Sequence, residues 1–288
     1  MDYLLAVILG MVQGLTEFFP VSSSGHLVIL ERLIGFQIPV VTFHVFLHMG
    51  SALVVLSVMH RDFSGIFSEL KQMAGGLKGG ASAMIGKEKT FPGRGVLRTD
   101  QRRLIYLILY AMIPSVIAGT AFAGAADYMS VSPFLTGAGF MITGILLLVT
   151  EMVNSSDETI RDMHPSWAVL TGLVQGIAVL PGISRAAATL SMGIFCGLSR
   201  KSALRFSYMI FVPVTFAAFI RCLAEGIGSG VFTGRVVLIC LIGMAASAAS
   251  GALVMNRFLS IVRKGRLSSF AYYCFTAGLI AITIGLAL

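Results

Sequence analysis

Three ionisable residues lie in short polar segments that interrupt apolar stretches of the chain. Glu17 and His26 lie within residues 13–26, and Arg185 lies within residues 175–185. A guanidinium offers phosphate oxygens a planar pair of donors, a carboxylate can hold a divalent cation, and an imidazole exchanges protons near neutral pH. Together these groups predict phosphoryl transfer from a diphosphate, a reaction in which positioning and charge neutralisation carry most of the catalysis.

Hydroxyl groups and glycines flank these three residues. Hydroxyls add hydrogen-bond donors, glycines let the backbone come close to a ligand, and helices that begin after a proline turn direct their N–H groups at an anion. The serines have a structural alternative as helix caps. Besides Arg185, the predicted phosphate-binding residues are Ser22, Ser24, Gly25, Gly182, Ser184 and Thr189, with Ser23 as a candidate nucleophile.

The composition predicts that these segments lie inside a membrane protein. Of the 288 residues, 56% are hydrophobic and 12% are charged, about half the ~25% charged residues of a soluble domain. A spanning helix needs ~20 mostly apolar residues. We therefore predict an all-α integral membrane protein with a single polytopic domain over 1–288 and six spans, at about 40–59, 104–126, 133–153, 205–224, 234–256 and 267–288.

Two further apolar stretches, 3–34 and 168–196, are interrupted by polar segments rich in Pro, Gly and Ser. A broken helix is tolerated in a bilayer only where protein or water covers its freed backbone groups. We predict two re-entrant helical hairpins whose polar tips lie near the middle of the membrane. Both interruptions begin with Gln-Gly and carry a serine three residues after a proline, Ser23 and Ser184. This match predicts an inverted repeat, about 1–153 and 165–288, with the site between the halves.

The distribution of basic residues predicts the orientation, because Lys and Arg concentrate in cytoplasmic loops. Loop 61–103 carries nine basic residues against four acids, and basic residues cluster again in 200–205 and 257–266. With six spans and two hairpins, all three segments fall on the cytoplasmic side. Both termini and the opening of the first hairpin then lie outside. We predict that loop 61–103 is a solvated linker rather than a binding module.

Other features of the sequence have structural explanations. The net charge of +8 follows from the loops that set topology, and no basic patch interleaved with exposed aromatics indicates nucleic-acid binding. His44 and His48 lie one turn apart, a spacing that can bind a metal, but no third ligand is evident in the sequence and we assign both to helix packing. The four cysteines form no CxxC pair and are interpreted as small core residues.

The two interrupted segments resemble motifs of the undecaprenyl-diphosphate phosphatases, also called bacitracin-resistance proteins. Residues 13–27 read Gln-Gly-Leu-Thr-Glu-Phe-Phe-Pro-Val-Ser-Ser-Ser-Gly-His-Leu, which is similar to the family's (Glu/Gln)-x-x-x-Glu motif with its Ser-Ser-x-Gly-His extension. Residues 180–189 read Leu-Pro-Gly-Ile-Ser-Arg-Ala-Ala-Ala-Thr, similar to the family's Pro-Gly-x-Ser-Arg-x-x-x-Thr motif. Segments 42–55 (TFHVFLHMGSALVV) and 206–213 (FSYMIFVP) extend the resemblance over nearly the whole chain.

The resemblance implies hydrolysis of the terminal phosphate of undecaprenyl diphosphate, which recycles the carrier lipid of peptidoglycan synthesis and gives bacitracin resistance. It implies a divalent cation, Mg²⁺ or Ca²⁺, and an outward-facing site in the bacterial inner membrane. Gln13 stands where many members have a second glutamate, so a weaker cation site is expected from Glu17 and Gln13. The residues at the family's functional positions are Glu17, Ser22, Ser23, His26, Ser184, Arg185 and Thr189.

The sequence leaves the nucleophile, the choice between hydrolysis and transport, and the oligomeric state open. Arg185 and Ser184 bind the terminal phosphate, while the nucleophile is Ser23 or a water, with His26 as base, or His26 itself. The main alternative function is a lipid-phosphate transporter or flippase that uses the same site without hydrolysis, because inverted repeats suit alternating access. The sequence also leaves open whether the protein forms a homodimer.

Overall fold

The protein is a bundle of helices. This computed structural model describes residues 1–35, 40–78, 94–154, 156–263 and 266–287, and these residues form twelve helices. The helices are α1 (Asp2–Glu17), α2 (Ser23–Ile34), α3 (Val40–Val58), α4 (His60–Lys78), α5 (Arg94–Ala121), α6 (Ala123–Ser130), α7 (Pro133–Met152), α8 (Pro165–Ile177), α9 (Arg185–Phe195), α10 (Arg200–Ser229), α11 (Gly234–Arg263) and α12 (Ser268–Ala287).

Six helices among the described residues are long and apolar enough to cross a membrane. They are α3, α5, α7, α10, α11 and α12, which coincide with the six predicted spans. Their lengths meet the ~20 residues that a bilayer core requires. The prediction of an all-α, multi-pass membrane protein is therefore confirmed.

The two interrupted stretches form two pairs of short helices, α1–α2 and α8–α9. Their 16, 12, 13 and 11 residues are fewer than the ~20 of a full span, as the re-entrant prediction requires. The first break contains Pro20 and ends at Ser22, whose φ of 63° is left-handed. The second contains Pro181 and Gly182, whose φ of 88° also favours glycine. How deeply the breaks lie in a bilayer stays a prediction.

The first helix of each pair packs closely on a span of the other half. Gly14 of α1 lies against α11, where an added Cβ would come within 2.2 Å of the Ser247 carbonyl oxygen. Gly176 of α8 lies against α5, where an added Cβ would come within 2.5 Å of the Ser115 carbonyl oxygen. Helices in membranes commonly meet through such small residues. Since α5 and α11 are each the second span of their half, these matched contacts are compatible with the internal repeat, which stays a prediction.

Polar contacts between loops follow the predicted order of spans. At one end of the bundle, Arg235 pairs with Asp2, and Arg32 donates to the Val131 carbonyl oxygen at 3.1 Å. The opposite end joins the segments that are predicted to be cytoplasmic. Its contacts are Arg205 with Asp62, Arg161 with Asp100, and Ser268 with Glu151.

The prediction of a solvated linker over 61–103 is wrong for its described part. Residues 60–78 form α4, and Phe63 and Ile66 pack against the main hydrophobic core. Glu69 is only 2% exposed and pairs with Arg102 of α5 at 2.5 Å. The charged residues and glycines of this segment favoured the linker prediction, although its apolar residues form one face of a helix. Residues 79–93 of the same loop lie outside the described residues.

The main hydrophobic core encloses the two helix breaks. Phe18 of the first break is fully buried together with Phe140 of α7 and Phe206 of α10. Large aromatic side chains contribute most to such cores because each buries a wide apolar area. The polar residues of the breaks are thus held inside the protein, where their hydrogen bonds must be made with one another or with a ligand.

Candidate active site

The Glu17 carboxylate is the centre of a buried polar cluster. Its side chain is 4% exposed, and Arg185 donates from Nη2 to Glu17 Oε1 at 2.6 Å. Ser23 Oγ donates to Glu17 Oε2 at 2.6 Å, and Gln13 Nε2 donates to the same oxygen at 2.8 Å. Charge-assisted hydrogen bonds of this kind are short and strong. The structure therefore brings together the two interrupted segments, whose members Glu17 and Arg185 are 168 residues apart.

Helix ends position the members of this cluster. Glu17 is the last residue of α1, and Gln13 lies one turn earlier on the same face. Ser23 is the first residue of α2, and Arg185 is the first residue of α9. Two helix N-termini thus meet at the carboxylate. Because the N-terminus of a helix carries partial positive charge, this junction favours an anion.

The turn before Arg185 is held in place by α7. Thr143 Oγ1 donates to the Gly182 carbonyl oxygen at 2.8 Å and accepts from Ser184 N at 3.0 Å. Ser184 Oγ caps α9 by accepting from Ala187 N at 3.2 Å. The Arg185 guanidinium lies 3.7 Å from the centroid of the Phe211 ring, a cation–π contact. Its Nη1 is buried and has no hydrogen-bond partner among the described residues.

Several predicted phosphate-binding residues make contacts within the protein. Ser22 Oγ accepts from Gly25 N at 3.4 Å and lies 3.3 Å from Ser24 Oγ, so the serine caps α2. An added Cβ at Gly25 would come within 2.6 Å of Phe140 and 3.0 Å of the Gly182 Cα. The close approach predicted for these two glycines is therefore an approach of the two breaks to each other.

Thr189 lies behind Arg185 rather than beside the carboxylate. It is fully buried, and its Oγ1 donates to the Arg185 carbonyl oxygen at 2.9 Å. Thr189 Oγ1 also lies 2.5 Å from Ser207 Oγ of α10. These contacts hold α9 against α10 at the point where Arg185 emerges.

His26 lies one turn further along α2, with its own set of partners. Its Nδ1 is 2.7 Å from the Ser22 carbonyl oxygen, and its Nε2 is 2.7 Å from the Tyr273 hydroxyl. A carbonyl only accepts, so Nδ1 carries a proton, and in the neutral ring Nε2 accepts from the Tyr273 hydroxyl. The structure joins Glu17 and Arg185 directly, but the hydrogen-bond partners of His26 among the described residues are Ser22 and Tyr273.

Comparison with known proteins identifies the family. Residues 6–280 match the family model described as "Bacitracin resistance protein BacA". The chain belongs to the BacA family.

Relatives of this chain within the BacA family carry an enzyme name. A protein named undecaprenyl-diphosphatase from Desulfatibacillum aliphaticivorans is 36% identical over 279 residues, which cover 96% of this chain and 97% of the relative. Another of the same name from Desulfosudis oleivorans is 35% identical over 288 residues, covering 99% and 100%. A third, from Halothermothrix orenii, is 31% identical over 284 residues, covering 99% and 98%.

His48 belongs to the polar cluster of this BacA-family chain, although we interpreted it from the sequence as a helix-packing residue. Its Nδ1 lies 2.8 Å from Gln13 Nε2, which donates to it, and 3.2 Å from Glu17 Oε2. His44, one turn earlier, instead contacts Glu31 Oε1 at 2.7 Å. The presence of two histidines on one face of an apolar span was the feature of the sequence that could have indicated a role in the site. Which partners they contact depends on how α3 packs against α1 and α2.

The donors around Glu17 fit a hard divalent cation in this BacA-family chain. Gln13 Oε1 is buried without a hydrogen-bond partner among the described residues, and it is an oxygen ligand of the kind that Mg²⁺ and Ca²⁺ prefer. No cluster of three or more His, Cys, Asp or Glu able to hold a metal occurs in the described part of the chain. Glu17 and Gln13 would supply two oxygen ligands to such a cation, and Mg²⁺ commonly takes its remaining ligands from water and phosphates.

Proposed function

We propose that this protein hydrolyses the terminal phosphate of undecaprenyl diphosphate to give undecaprenyl phosphate and inorganic phosphate. The observation that carries the proposal is the Glu17–Arg185 contact at the meeting point of two helix N-termini. An arginine and two positive helix ends suit a phosphate, and the adjacent carboxylate suits its cation. The name of the relatives supports the same reaction. Its role is then to recycle the carrier lipid of peptidoglycan synthesis, with bacitracin resistance as a consequence.

In the proposed reaction the nucleophile bonds to the terminal phosphorus, the phosphoanhydride bond breaks, and the lipid phosphate leaves with the bridging oxygen. Attack by water gives inorganic phosphate directly, whereas attack by Ser23 or His26 gives a phosphoenzyme that a water molecule then hydrolyses. Arg185 binds the terminal phosphate, and its Nη1, which has no hydrogen-bond partner among the described residues, is the donor available to do so. Ser23 Oγ already donates to Glu17 Oε2, so a Ser23 nucleophile has Glu17, rather than His26, in place to accept its proton. His26 remains a base for an attacking water, or a nucleophile through Nε2 once Tyr273 withdraws its hydroxyl.

A divalent cation, Mg²⁺ or Ca²⁺, is part of the proposal. Glu17 and Gln13 would hold it through the carboxylate and the amide oxygen. When bound, it would neutralise charge on the diphosphate oxygens. The remaining contributions come from the chain itself. Arg185 orients the terminal phosphate, Ser23 supplies a hydroxyl, and the surrounding aromatic core limits the access of bulk water.

We further propose that the protein lies in the bacterial inner membrane with the site open to the outer side. The support is the charge of the loops. The three basic segments join the end of the bundle where Asp62 meets Arg205, and basic loops favour the cytoplasm. The first hairpin, which carries Glu17, opens at the opposite end.

A phosphate-release assay tests the proposed function. Purified protein is incubated with a long-chain prenyl diphosphate and Mg²⁺ or Ca²⁺, and free phosphate is measured. Arg185→Lys keeps the charge but removes the planar pair of donors, so kcat/KM is expected to fall about 100-fold or more. The matched control is Arg221→Lys, because Arg221 is 67% exposed and its ion-pair partner among the described residues is Glu225 on its own helix.

Two results would count against the proposal. Release of phosphate by Arg185→Lys at the wild-type rate would remove this residue from the reaction. Binding or transbilayer movement of the lipid without any release by the wild-type protein would support a transporter instead.

A further inference from the structure

Tyr208 carries a buried hydroxyl that the interactions described so far do not use. The residue lies on α10 and is 1% exposed. Its hydroxyl has no hydrogen-bond partner among the described residues. Buried polar groups are nearly always hydrogen-bonded, and one that is not destabilises the fold. An unpaired buried hydroxyl therefore requires an explanation other than its contribution to stability.

The surroundings of Tyr208 place it beside the Glu17–Arg185 cluster. Its ring packs edge-on against Phe18, the residue that follows Glu17, with the ring centroids 6.1 Å apart. Phe211 lies three residues further along α10, and the Arg185 guanidinium stacks over its ring.

No acceptor of the described cluster bonds to this hydroxyl, and this includes the unpaired Gln13 Oε1. The Glu17 carboxylate receives donors from Arg185, Ser23 and Gln13, and a guanidinium has donors only. Arg185 Nη1 is likewise buried and unpaired among the described residues. Two unpaired donors beside the same cluster are complementary to a group that only accepts and carries negative charge. A phosphoryl group has both properties.

We propose that the Tyr208 hydroxyl, together with Arg185 Nη1, donates a hydrogen bond to the terminal phosphoryl group of the substrate. The proposal rests on the proposed function and adds a substrate-binding residue to its site. Tyr208 is held by its packing against Phe18 and by the helix contacts of its neighbour Ser207. A donor fixed in this way strengthens its bond as charge develops on the phosphoryl oxygens, without rearrangement of the protein.

Tyr208→Phe tests the proposal because it removes the hydroxyl and keeps the ring. We expect kcat for phosphate release to fall about 10- to 100-fold, the usual effect of losing a hydrogen bond to a charged group. KM should change little if the bond is strongest in the transition state. The melting temperature should be unchanged or higher, because a buried unpaired hydroxyl is removed. The matched control is Tyr110→Phe on the exposed face of α5, which should change neither quantity.

Two results would overturn the role of Tyr208. One is wild-type activity in Tyr208→Phe, and the other is a lower melting temperature that accounts for the lost activity, which would reveal a structural hydrogen bond. If the wild-type protein releases no phosphate, the proposed function fails but Tyr208 is still tested by titration with inorganic phosphate. Weaker phosphate binding in Tyr208→Phe then supports the proposal, and equal binding contradicts it.

Discussion

Glu17 and Arg185 form an ion pair in a place where either charge alone would be costly. Removing one partner of a buried pair typically costs about 3–5 kcal/mol, because the other charge is left uncompensated. Ser23 and Gln13 add donors to the carboxylate and so help to satisfy it. Loss of activity in an Arg185→Ala protein would therefore mix a catalytic effect with instability. Arg185→Lys separates the two better, because it retains the charge.

Gln13 provides a test of the cation at the residue scale. Gln13→Glu would turn the unpaired amide oxygen into a second carboxylate beside Glu17, and carboxylate ligands raise the affinity for hard cations. We expect the Mg²⁺ concentration for half-maximal activity to fall roughly tenfold. Calorimetric titration of Mg²⁺ should show the same change without substrate turnover.

Gln101→Glu is the control for this cation experiment. It adds the same charge on α5, where Gln101 faces Gly65 of α4 rather than the cluster. Both measurements should remain at the wild-type values in this variant. An unchanged or higher Mg²⁺ requirement in Gln13→Glu would contradict a role for residue 13 in holding the cation.

The sequence predicted the meeting of Glu17 and Arg185, because each lies at a polar break in an apolar stretch. It could not predict His48, Tyr273 or Tyr208 as neighbours of the site. These residues lie on continuous helices, where a histidine or tyrosine is compatible with ordinary packing. Their positions follow from the rotation of α3, α10 and α12 against the breaks, and no local spacing in one sequence encodes that rotation.

At the scale of helices, proline and glycine made the two breaks and the six spans predictable. The partners of the short helices were not, because α1 meets α11 more than two hundred residues later in the chain, as the contact of Ser250 with the Met11 carbonyl oxygen shows. Small residues permit such a contact but do not specify it. The charged segment after α3 was predicted to be a solvated linker, but it forms α4, which packs on the core through Phe63 and Ile66.

The glycine contacts of α1 and α8 give a stability prediction. Gly14→Ala and Gly176→Ala each add a methyl group where a neighbouring helix backbone lies within 2.5 Å of the new atom. Overpacking of this kind costs about 1–3 kcal/mol, so both variants should melt at a lower temperature. Thermal unfolding can be followed through the fluorescence of Trp167, the one tryptophan of the chain.

Gly124→Ala is the control for these two variants. Nothing lies within 4 Å of a Cβ added at Gly124, and alanine is the better helix former by about 1 kcal/mol. This variant should therefore melt at or slightly above the wild-type temperature. An unchanged melting temperature in Gly14→Ala would mean that the α1–α11 contact is looser than the structure indicates.

At the scale of the whole molecule, the contacts between loops and the positive-inside rule agree on one arrangement. Arg235 meets Asp2 at one end, and Arg205 meets Asp62 at the other. With six spans, this arrangement requires that both ends of the α1–α2 pair lie on one side of the membrane. Both ends of the α8–α9 pair must then lie on the opposite side. The site between the two breaks is reached from the outer side only if this holds.

Cysteine labelling tests this topology. The four native cysteines, of which Cys240 and Cys274 are buried, are first replaced by alanine, and single cysteines are introduced at exposed positions. A membrane-impermeant maleimide should label Tyr3→Cys and Leu33→Cys in intact cells. It should label Ser166→Cys and Lys201→Cys only after permeabilisation.

Each pair of labels brackets one pair of short helices, and this makes the outcome decisive. If α1 and α2 together crossed the membrane, residues 3 and 33 would react from opposite faces, and the first break would no longer be a turn of the backbone within the bilayer. The same holds for residues 166 and 201 around α8 and α9. Phosphate release is measured for each single-cysteine variant before the maleimide is added, and activity there shows that the variant is folded. Labelling of both pairs from the same face would contradict the inverted arrangement of the two halves.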